Sequence, residues 1–437
     1  MTASTIVALA SGPGPAGVSI IRLSGPACEH VAQRLIGSTP LPRRAKLARI
    51  VDRVGEPIDN ALVLYFPCPH SFTGEDVLEL HVHGGRAVVR DTLEACLGIP
   101  DVRLAEAGEF SRRAFLNGKM DLTAAEGLAD LVEAETAAQR RQALRQMEGE
   151  LADEVGRWRE AVIDCLADAE GDIDFPDEDL PPGLSERARQ RIESLKGRLE
   201  AYLAESRRAE RVRTGYQVAI VGKPNAGKSS LINQLARRDA VIVSPVPGTT
   251  RDIVDVRLVL GGMVILISDT AGLRESEDLI EVEGVRRARQ RAEETDLRLG
   301  LITDHADMAE FADLMKDGDL WLLGQADRLD WTEQAGVGLA VSSVTRQGLD
   351  DLESIITERA QADLGKSESA PLTRLRHQEA VRDGIAALDR ALTASVLAPE
   401  LVAEDLRLAA RALGRVTGRV DMEDVLDRLF SQFCIGK

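Results

Sequence analysis

Gly222 to Ser229 read GKPNAGKS, directly after the apolar run VAIV and directly before the helix-like SLINQLA. A Gly-x-x-x-x-Gly-Lys-Ser spacing between a strand and a helix does phosphate chemistry, because backbone amides of the tight turn and of the helix N-terminus wrap an anion. Asn225, Ala226, Gly227, Lys228, Ser229 and Ser230 are the candidate cradle, with Lys228 neutralising β/γ charge and the Ser229 hydroxyl able to ligate Mg²⁺. Downstream, the apolar run MVILI delivers Asp269 to the neighbourhood of that metal; Thr270 and Ala271 follow, and Gly272 offers an amide to the γ-phosphate. Between them, VPGTTRD offers Thr249 and Thr250 as hydroxyl ligands, Thr250 for Mg²⁺, which a triphosphate orders and its hydrolysis releases. The three pieces are those of a P-loop GTPase and not of a kinase.

Two departures qualify that reading. Leu273 stands where many small GTPases carry a water-orienting Gln, and a leucine holds no water. The strand-like LWLLG leads into Gly324-Gln325-Ala326-Asp327, where a guanine-reading loop normally runs Asn-Lys-x-Asp. Asp327 keeps the acceptor for guanine N1–H and the exocyclic amine, groups adenine does not present in that arrangement. Without the Asn tether and the Lys stem, the expectation is a guanine preference of modest affinity. VSSVT, with Ser342 and Ser343, fits the loop that closes over the base.

The elements that must position these residues follow from periodicity. Up to Gly118 the chain mixes β-like runs (STIVALA, VSIIRLSG, NALVLYFPCP, VLELHVHGG) with short helical ones, between Gly and Pro turns. That is an α+β domain. From Met120 to about Ala169, Ala, Glu, Leu, Arg and Gln recur at helical spacing, and another helix runs from about Ser185 to Arg213. At Tyr216 the text switches to strands alternating with helices, and after Pro371 it is helical again. Amphipathic faces on both flanks need partners, so the expected division is an N-terminal α+β domain at 1–118, an all-α helical domain at 119–212 and 369–437, and an inserted Ras-like α/β domain at 213–368.

Composition narrows the setting. Five cysteines without a Cys-x-x-Cys pair suggest neither a disulfide framework nor a zinc knuckle and fit a reducing cytosol. Gly12 and Pro13 interrupt the N-terminal apolar run before it resembles a signal peptide, and no apolar stretch approaches membrane-spanning length. A net charge of −18 and 3% aromatic residues weigh against an all-over nucleic-acid funnel, so any RNA contact must be local or shared with a partner. His81 and His83 alternate on one strand face without a third metal ligand.

Taken together, TIVALASGPGPAGVSIIRLSG, SFTGEDVLELHVHGG, AGEFSRRAFLNGKMDL, VGKPNAGKSSLIN, PGTTRD, DTAGLRE and the terminal FCIGK resemble the MnmE (TrmE) family of tRNA-modification GTPases, over essentially the whole length. The resemblance implies an answer to the missing Gln. A K⁺ ion held by Asn225, with Ser244, Val246 and Thr249 completing its site when two nucleotide domains meet, supplies the charge of an arginine finger, and Glu281 positions the water. The residues alone leave that last choice open among Glu275, Glu277, Asp278, Glu281 and Glu283. The resemblance further implies a folate-binding N-terminal domain, with Arg22, Glu79, Lys119 and Lys437 lining a site for 5-formyltetrahydrofolate or a related tetrahydrofolate, and Cys434 as a thiol beside it. A carboxylate suits the guanine-like edge of a pterin, and cations suit its glutamyl tail.

By the same resemblance the chain is a cytoplasmic homodimer. It works with an FAD- and NADH-dependent partner of the MnmG type, in a heterotetramer or larger complex, adding a carboxymethylaminomethyl group at C5 of the wobble uridine of certain tRNAs. The alternative is a ribosome-assembly GTPase switch without one-carbon chemistry.

Overall fold

The computed structural model describes residues 4–174, 186–239, 255–269, 295–328, 331, 338–365, 372–394, 399–419, 429, 430, 433 and 436. The chain divides into two compact units, one made of 1–129, 146–185 and 387–437, the other of 130–145 and 186–386.

In the first unit, β1 (Thr5–Leu9), β2 (Ala16–Ser24), β3 (Lys46–Val51), β4 (Pro57–Phe66), β5 (Val77–Gly84) and β6 (Val102–Leu104) form one sheet in the order β3-β4-β5-β2-β1-β6. Every pairing is antiparallel except that of β1 with β6. The alternation in VLELHVHG does what period two demands: Leu78, Leu80 and Val82 are buried, while Glu79, His81 and His83 point the other way. The buried set packs with α1 (Cys28–Ile36) and α2 (Arg86–Leu97) in a core that includes Val31, Leu35 and Cys96. A smaller cluster of Ile6, Ala8, Ala105 and Phe110 engages α3 (Glu109–Leu116).

Four helices follow in sequence, α4 (Leu122–Glu133), α5 (Ala137–Met147), α6 (Glu150–Asp174) and α7 (Glu186–Thr214). On α6 the buried residues Leu151, Val155, Trp158, Val162, Cys165 and Ala169 recur at alternating steps of four and three. That is the seam of a helix built to lie along another helix.

The second unit carries β7 (Tyr216–Val221), α8 (Lys228–Asp239), β8 (Asp255–Leu260), β9 (Met263–Asp269), β10 (Leu297–Ile302), α9 (Ala306–Phe311), β11 (Leu320–Leu323), β12 (Leu339–Ala340) and α10 (Leu349–Leu364). Its sheet runs β12-β11-β10-β7-β9-β8, parallel throughout except for the β8–β9 hairpin. The order reverses at β7, and an open parallel sheet binds ligands at the carboxyl ends of its strands at such a switch point. All six residues of β10 are buried, the burial expected of a central parallel strand. Among the described residues two further helices follow, α11 (Leu375–Thr393) and α12 (Pro399–Val416). In the first unit α12 lies along α6, burying Val402, Leu406, Ala409, Leu413 and Val416 at the matching spacing. An α+β sheet, helices packed on helices and a doubly wound Ras-ordered sheet are the fold class expected from the sequence.

Candidate functional site

The phosphate cradle begins where β7 ends. A Cβ on Gly222 would stand 2.3 Å from the Leu301 carbonyl oxygen, so only glycine lets the chain leave β7 this close to β10. The amide of Ala226 donates to the Lys223 carbonyl at 3.2 Å, closing a turn with Pro224 and Asn225 at its centre. Asn225 has φ +63°, the left-handed conformation that the third residue of a type II turn requires and that asparagine tolerates. Asn225, Ser229 and Ser230 are exposed, whereas Ala226 and Lys228 are buried. Lys228 Nζ donates to the carbonyls of Gly222 at 2.8 Å and Lys223 at 2.9 Å, which holds its charge over the mouth of the loop. The cradle residues read from sequence are thereby brought together on one turn and the first turn of α8.

A contact the sequence did not announce anchors this loop. Lys223 Nζ lies 2.7 Å from Asp307 Oδ1 and 3.0 Å from Glu310 Oε2, both on α9. Asp307 Oδ2 in turn accepts from the amides of Thr303 and Asp304, each at 3.0 Å. Burial pushes the Asp307 carboxyl up, but the Lys223 ammonium and those two amides outweigh it and hold the pKa below its ordinary value. The available signal was the three-residue spacing of Asp307 and Glu310, which puts both carboxylates on one helical face.

Asp269 is the last residue of β9, opposite Ile220 of β7, which carries its backbone to the level of the cradle. The side chain of Asp269 and the whole of Ser244, Val246, Thr249, Thr250, Thr270, Ala271, Gly272 and Glu281 lie outside the described residues.

Beyond β11 the base loop folds back on the P-loop. A Cβ on Gly324 would meet Leu301 Cδ1 at 3.0 Å and the Ile302 carbonyl at 3.1 Å, with the Ala226 carbonyl 3.6 Å away, so the missing Asn stands where the backbone is already crowded. Gln325, in the lysine position, has φ +54°. Asp327 Oδ1 accepts from the Ser342 hydroxyl at 2.6 Å, and Ser342 Oγ accepts from the amides of Val344 and Thr345 at 3.2 and 3.1 Å. Asp327 and Ser342 therefore meet, and Ser343 lies half-buried beside them in sequence. Trp331, not singled out from sequence, donates its indole N–H to the Gly324 carbonyl at 3.0 Å.

In the first unit, Arg22 and Glu79 are cross-strand neighbours, with Arg22 Nε 2.9 Å from Glu79 Oε1. The other carboxylate oxygen lies 3.2 Å from His81 Nε2. The Arg22 guanidinium sits 5.6 Å from the Phe72 ring centre and 6.0 Å from that of Phe110. The result is a half-buried carboxylate flanked by a cation and an imidazole, the cation itself lying over two flat apolar rings. Lys119 is exposed just beyond α3, where its amide donates to Ala114 O at 2.8 Å. The adjoining Asn117 amide donates to Thr73 O at 2.7 Å, tying this turn to the segment that carries Phe72. Cys434 and Lys437 lie outside the described residues. Between them, Gly436 meets β1, where a Cβ would stand 2.2 Å from the Leu9 carbonyl oxygen. Nothing in the sequence marked His81 as a partner of Glu79, or Phe72 and Phe110 as neighbours of Arg22, beyond their places in adjoining motifs.

Comparison with known proteins places these observations. Residues 5–119 match the family model of the GTP-binding protein TrmE N-terminus, and residues 122–434 match that of the MnmE helical domain. The tRNA modification GTPase MnmE of Rhodospirillum rubrum is 51% identical over 460 aligned positions, covering all of both chains. The protein of the same name from Paramagnetospirillum magneticum is 50% identical over 442, covering 99% of each. Among solved structures, the G domain of the T. maritima FeoB iron transporter is similar at 23% identity and a TM-score of 0.27, covering 33% of this chain and 99% of that one. With two family models spanning nearly the full sequence and relatives alike from end to end, the chain belongs to the MnmE (TrmE) family of tRNA modification GTPases.

Proposed function

We propose that the chain is a K⁺-dependent GTP hydrolase that acts in tRNA wobble-uridine modification. The observation that carries this reading is the cradle itself: a P-loop turn at the switch point of a Ras-ordered sheet, with Lys228 poised over it and Asp327 held by Ser342 in the base loop. In this reading Lys228 neutralises charge on the β- and γ-phosphates, and the amides from Asn225 to Ser230 hold them. Asp327 reads the guanine edge, with Ser342 and Ser343 in the loop that closes over it.

The donor set suits the cations the family implies. Ser229 presents an exposed hydroxyl at the start of α8, a hard oxygen ligand of the kind Mg²⁺ takes, with Thr250 as its proposed second protein ligand. Asn225 presents an amide oxygen at an exposed turn tip, where Ser244, Val246 and Thr249 would join it around K⁺. When bound, these cations stabilise negative charge that develops on the transferring phosphoryl group. Thr270, Ala271 and Gly272, next after Asp269 in sequence, are the proposed γ-phosphate contacts, and Glu281 is the proposed water-positioning carboxylate.

In the N-terminal domain, Glu79 with Arg22, Lys119 and Lys437 is the proposed site for 5-formyltetrahydrofolate or a related tetrahydrofolate. A half-buried carboxylate, beside an arginine that lies over two flat rings, suits an amino-pyrimidine edge that donates two hydrogen bonds. Cys434 is the proposed thiol beside it. Working as a homodimer with an MnmG-type flavoprotein and tRNA, the chain would contribute GTP turnover and the folate site to carboxymethylaminomethyl addition at C5 of the wobble uridine.

The test is hydrolysis of GTP against ATP with K⁺ exchanged for Na⁺. Turnover confined to GTP and lost in Na⁺ is expected; equal turnover in Na⁺ would refute the cation assignment, and equal turnover of ATP the base assignment.

A further inference from the structure

The K⁺ assignment places one ligand, Asn225, at the centre of a four-residue turn, and a turn tip aims a side chain only as well as its base is fixed. The base of this one is Lys223. Its carbonyl accepts from the Ala226 amide at 3.2 Å and from Lys228 Nζ at 2.9 Å, and its ammonium reaches out of the loop to Asp307 at 2.7 Å and Glu310 at 3.0 Å. Asp307 is no loose surface partner. Its side chain is 3% exposed and is bound by the amides of Thr303 and Asp304, so it moves only with the end of β10 and the start of α9. Glu310, 51% exposed, adds a weaker contact from the next turn of the same helix.

We propose that Lys223 is a positioning residue. Its ion pairs with Asp307 and Glu310 clip the Lys223–Ala226 turn to the β10–α9 corner, presenting Asn225 and the adjoining amides to phosphate and monovalent cation. Lys223 does not itself touch the reacting atoms, since its ammonium is turned away onto α9. Without it, the turn closed by one backbone bond at 3.2 Å keeps its shape but loses its registration against the sheet, and the cost falls on ligands that need the tip in one place. A deleted side chain here leaves Asp307 with its two amides, so the corner itself stays folded.

This inference rests on the cation reading above for one arm of its test and stands apart from it in the other. For wild type, Lys223→Ala, Lys223→Arg and Glu310→Gln, the two measurements are the affinity for a fluorescent GDP analogue with Mg²⁺ and the K⁺ concentration giving half-maximal GTP turnover. Lys223→Ala is expected to weaken GDP by about three- to tenfold and to raise the half-maximal K⁺ by a similar factor. Lys223→Arg, which restores the cation, is expected to recover both; Glu310→Gln should shift them by less than Lys223→Ala. Chemical-denaturant midpoints within error of wild type would exclude a merely unfolded variant; a large fall in that midpoint for Lys223→Ala would make the role structural and overturn the assignment. Unchanged GDP affinity in Lys223→Ala, or an arginine variant no better than alanine, would also overturn it. If wild-type turnover ignores K⁺, the cation reading fails while the GDP measurement still decides the clamp.

Discussion

In the proposed reading, guanine recognition turns on Ser342 once the usual Asn and Lys are gone. Its hydroxyl donates to Asp327 at 2.6 Å and accepts from two amides, so one fully buried atom fixes the carboxylate and the closing loop together. Ser342→Ala deletes all three contacts. Val344 and Thr345 are exposed, so their amides regain water and contribute little to the loss. The Asp327 contact is different, being a hydrogen bond to a charged acceptor worth about 1.5–3 kcal/mol. If that energy is what holds Asp327 in its reading orientation, freeing the carboxylate lowers the competent fraction, and GDP affinity falls by roughly ten- to hundredfold. Fluorescence titration with a labelled GDP measures this, and calorimetric titration with inorganic tripolyphosphate, which meets only the cradle, supplies the control. Tripolyphosphate affinity should hold, and Ser342→Thr, which keeps the hydroxyl, should bind GDP close to wild type. A GDP loss below about threefold, or an equal loss for tripolyphosphate, would refute the argument that base reading here depends on the Ser342–Asp327 bond.

Three further outcomes follow from the same contacts. Arg298 of β10 and Asp319, just before β11, have side chains 2% and 5% exposed and 3.3 Å apart; Arg298→Met removes this buried ion pair but leaves the carboxylate bound by the amides of Arg298 and Lys316 at 2.9 and 2.7 Å, so a loss of about 1.5–3 kcal/mol is expected, read from the urea midpoint with an unchanged slope. Asp307 has its pKa held below the ordinary 3.8, so it binds fewer protons folded than unfolded and its stabilisation is present at neutral pH and lost as pH falls below that value; urea unfolding of Asp307→Asn against wild type should differ most near neutrality and converge in acid. Gly436→Val places a side chain against a carbonyl that a Cβ alone would approach to 2.2 Å, so equilibrium dialysis with 5-formyltetrahydrofolate should show weakened binding while labelled GDP binds as in wild type.

How far the sequence carries depends on whether a signal is local. The P-loop was legible because strand, turn and helix are consecutive in the chain, a backbone demand fixes Gly222 and Asn225, and phosphate charge calls for Lys228. Heptad steps on α6 and α12 were legible as amphipathic helices for the same reason. What stayed hidden are pairings that only tertiary structure makes. Lys223 finds Asp307 eighty-four positions away, beyond the ends of the paired strands β7 and β10, and nothing in either segment names the other. Trp331 could not be told from an ordinary loop aromatic until its indole met Gly324. Glu79 and His81 read as an alternating strand face, but the carboxylate's hold on both Arg22 and His81 depends on the register Arg22↔Glu79, which a slip of one residue would abolish.

The C-terminal motif shows why a short run of residues at the end of a chain can be tied to a domain at its beginning. Phe430 and Phe433 stack at 5.6 Å and pack with Leu122, Ala125 and Phe115, so the tail is held first by apolar burial against the α3–α4 segment. Only after that anchor does Gly436 reach β1, and there the backbone approaches so closely that no side chain fits. On β1, Leu9 pairs with Ile21, the residue before Arg22, and Phe110 of α3 lies beneath the Arg22 guanidinium. The aromatic residues fix where the tail runs, and the glycine fixes how close it comes. Gly436 itself is thereby held against β1, whose partner strand β2 carries Arg22. Two aromatics, Phe430 and Phe433, and a glycine at fixed spacing make Gly436 a neighbour of the first sheet.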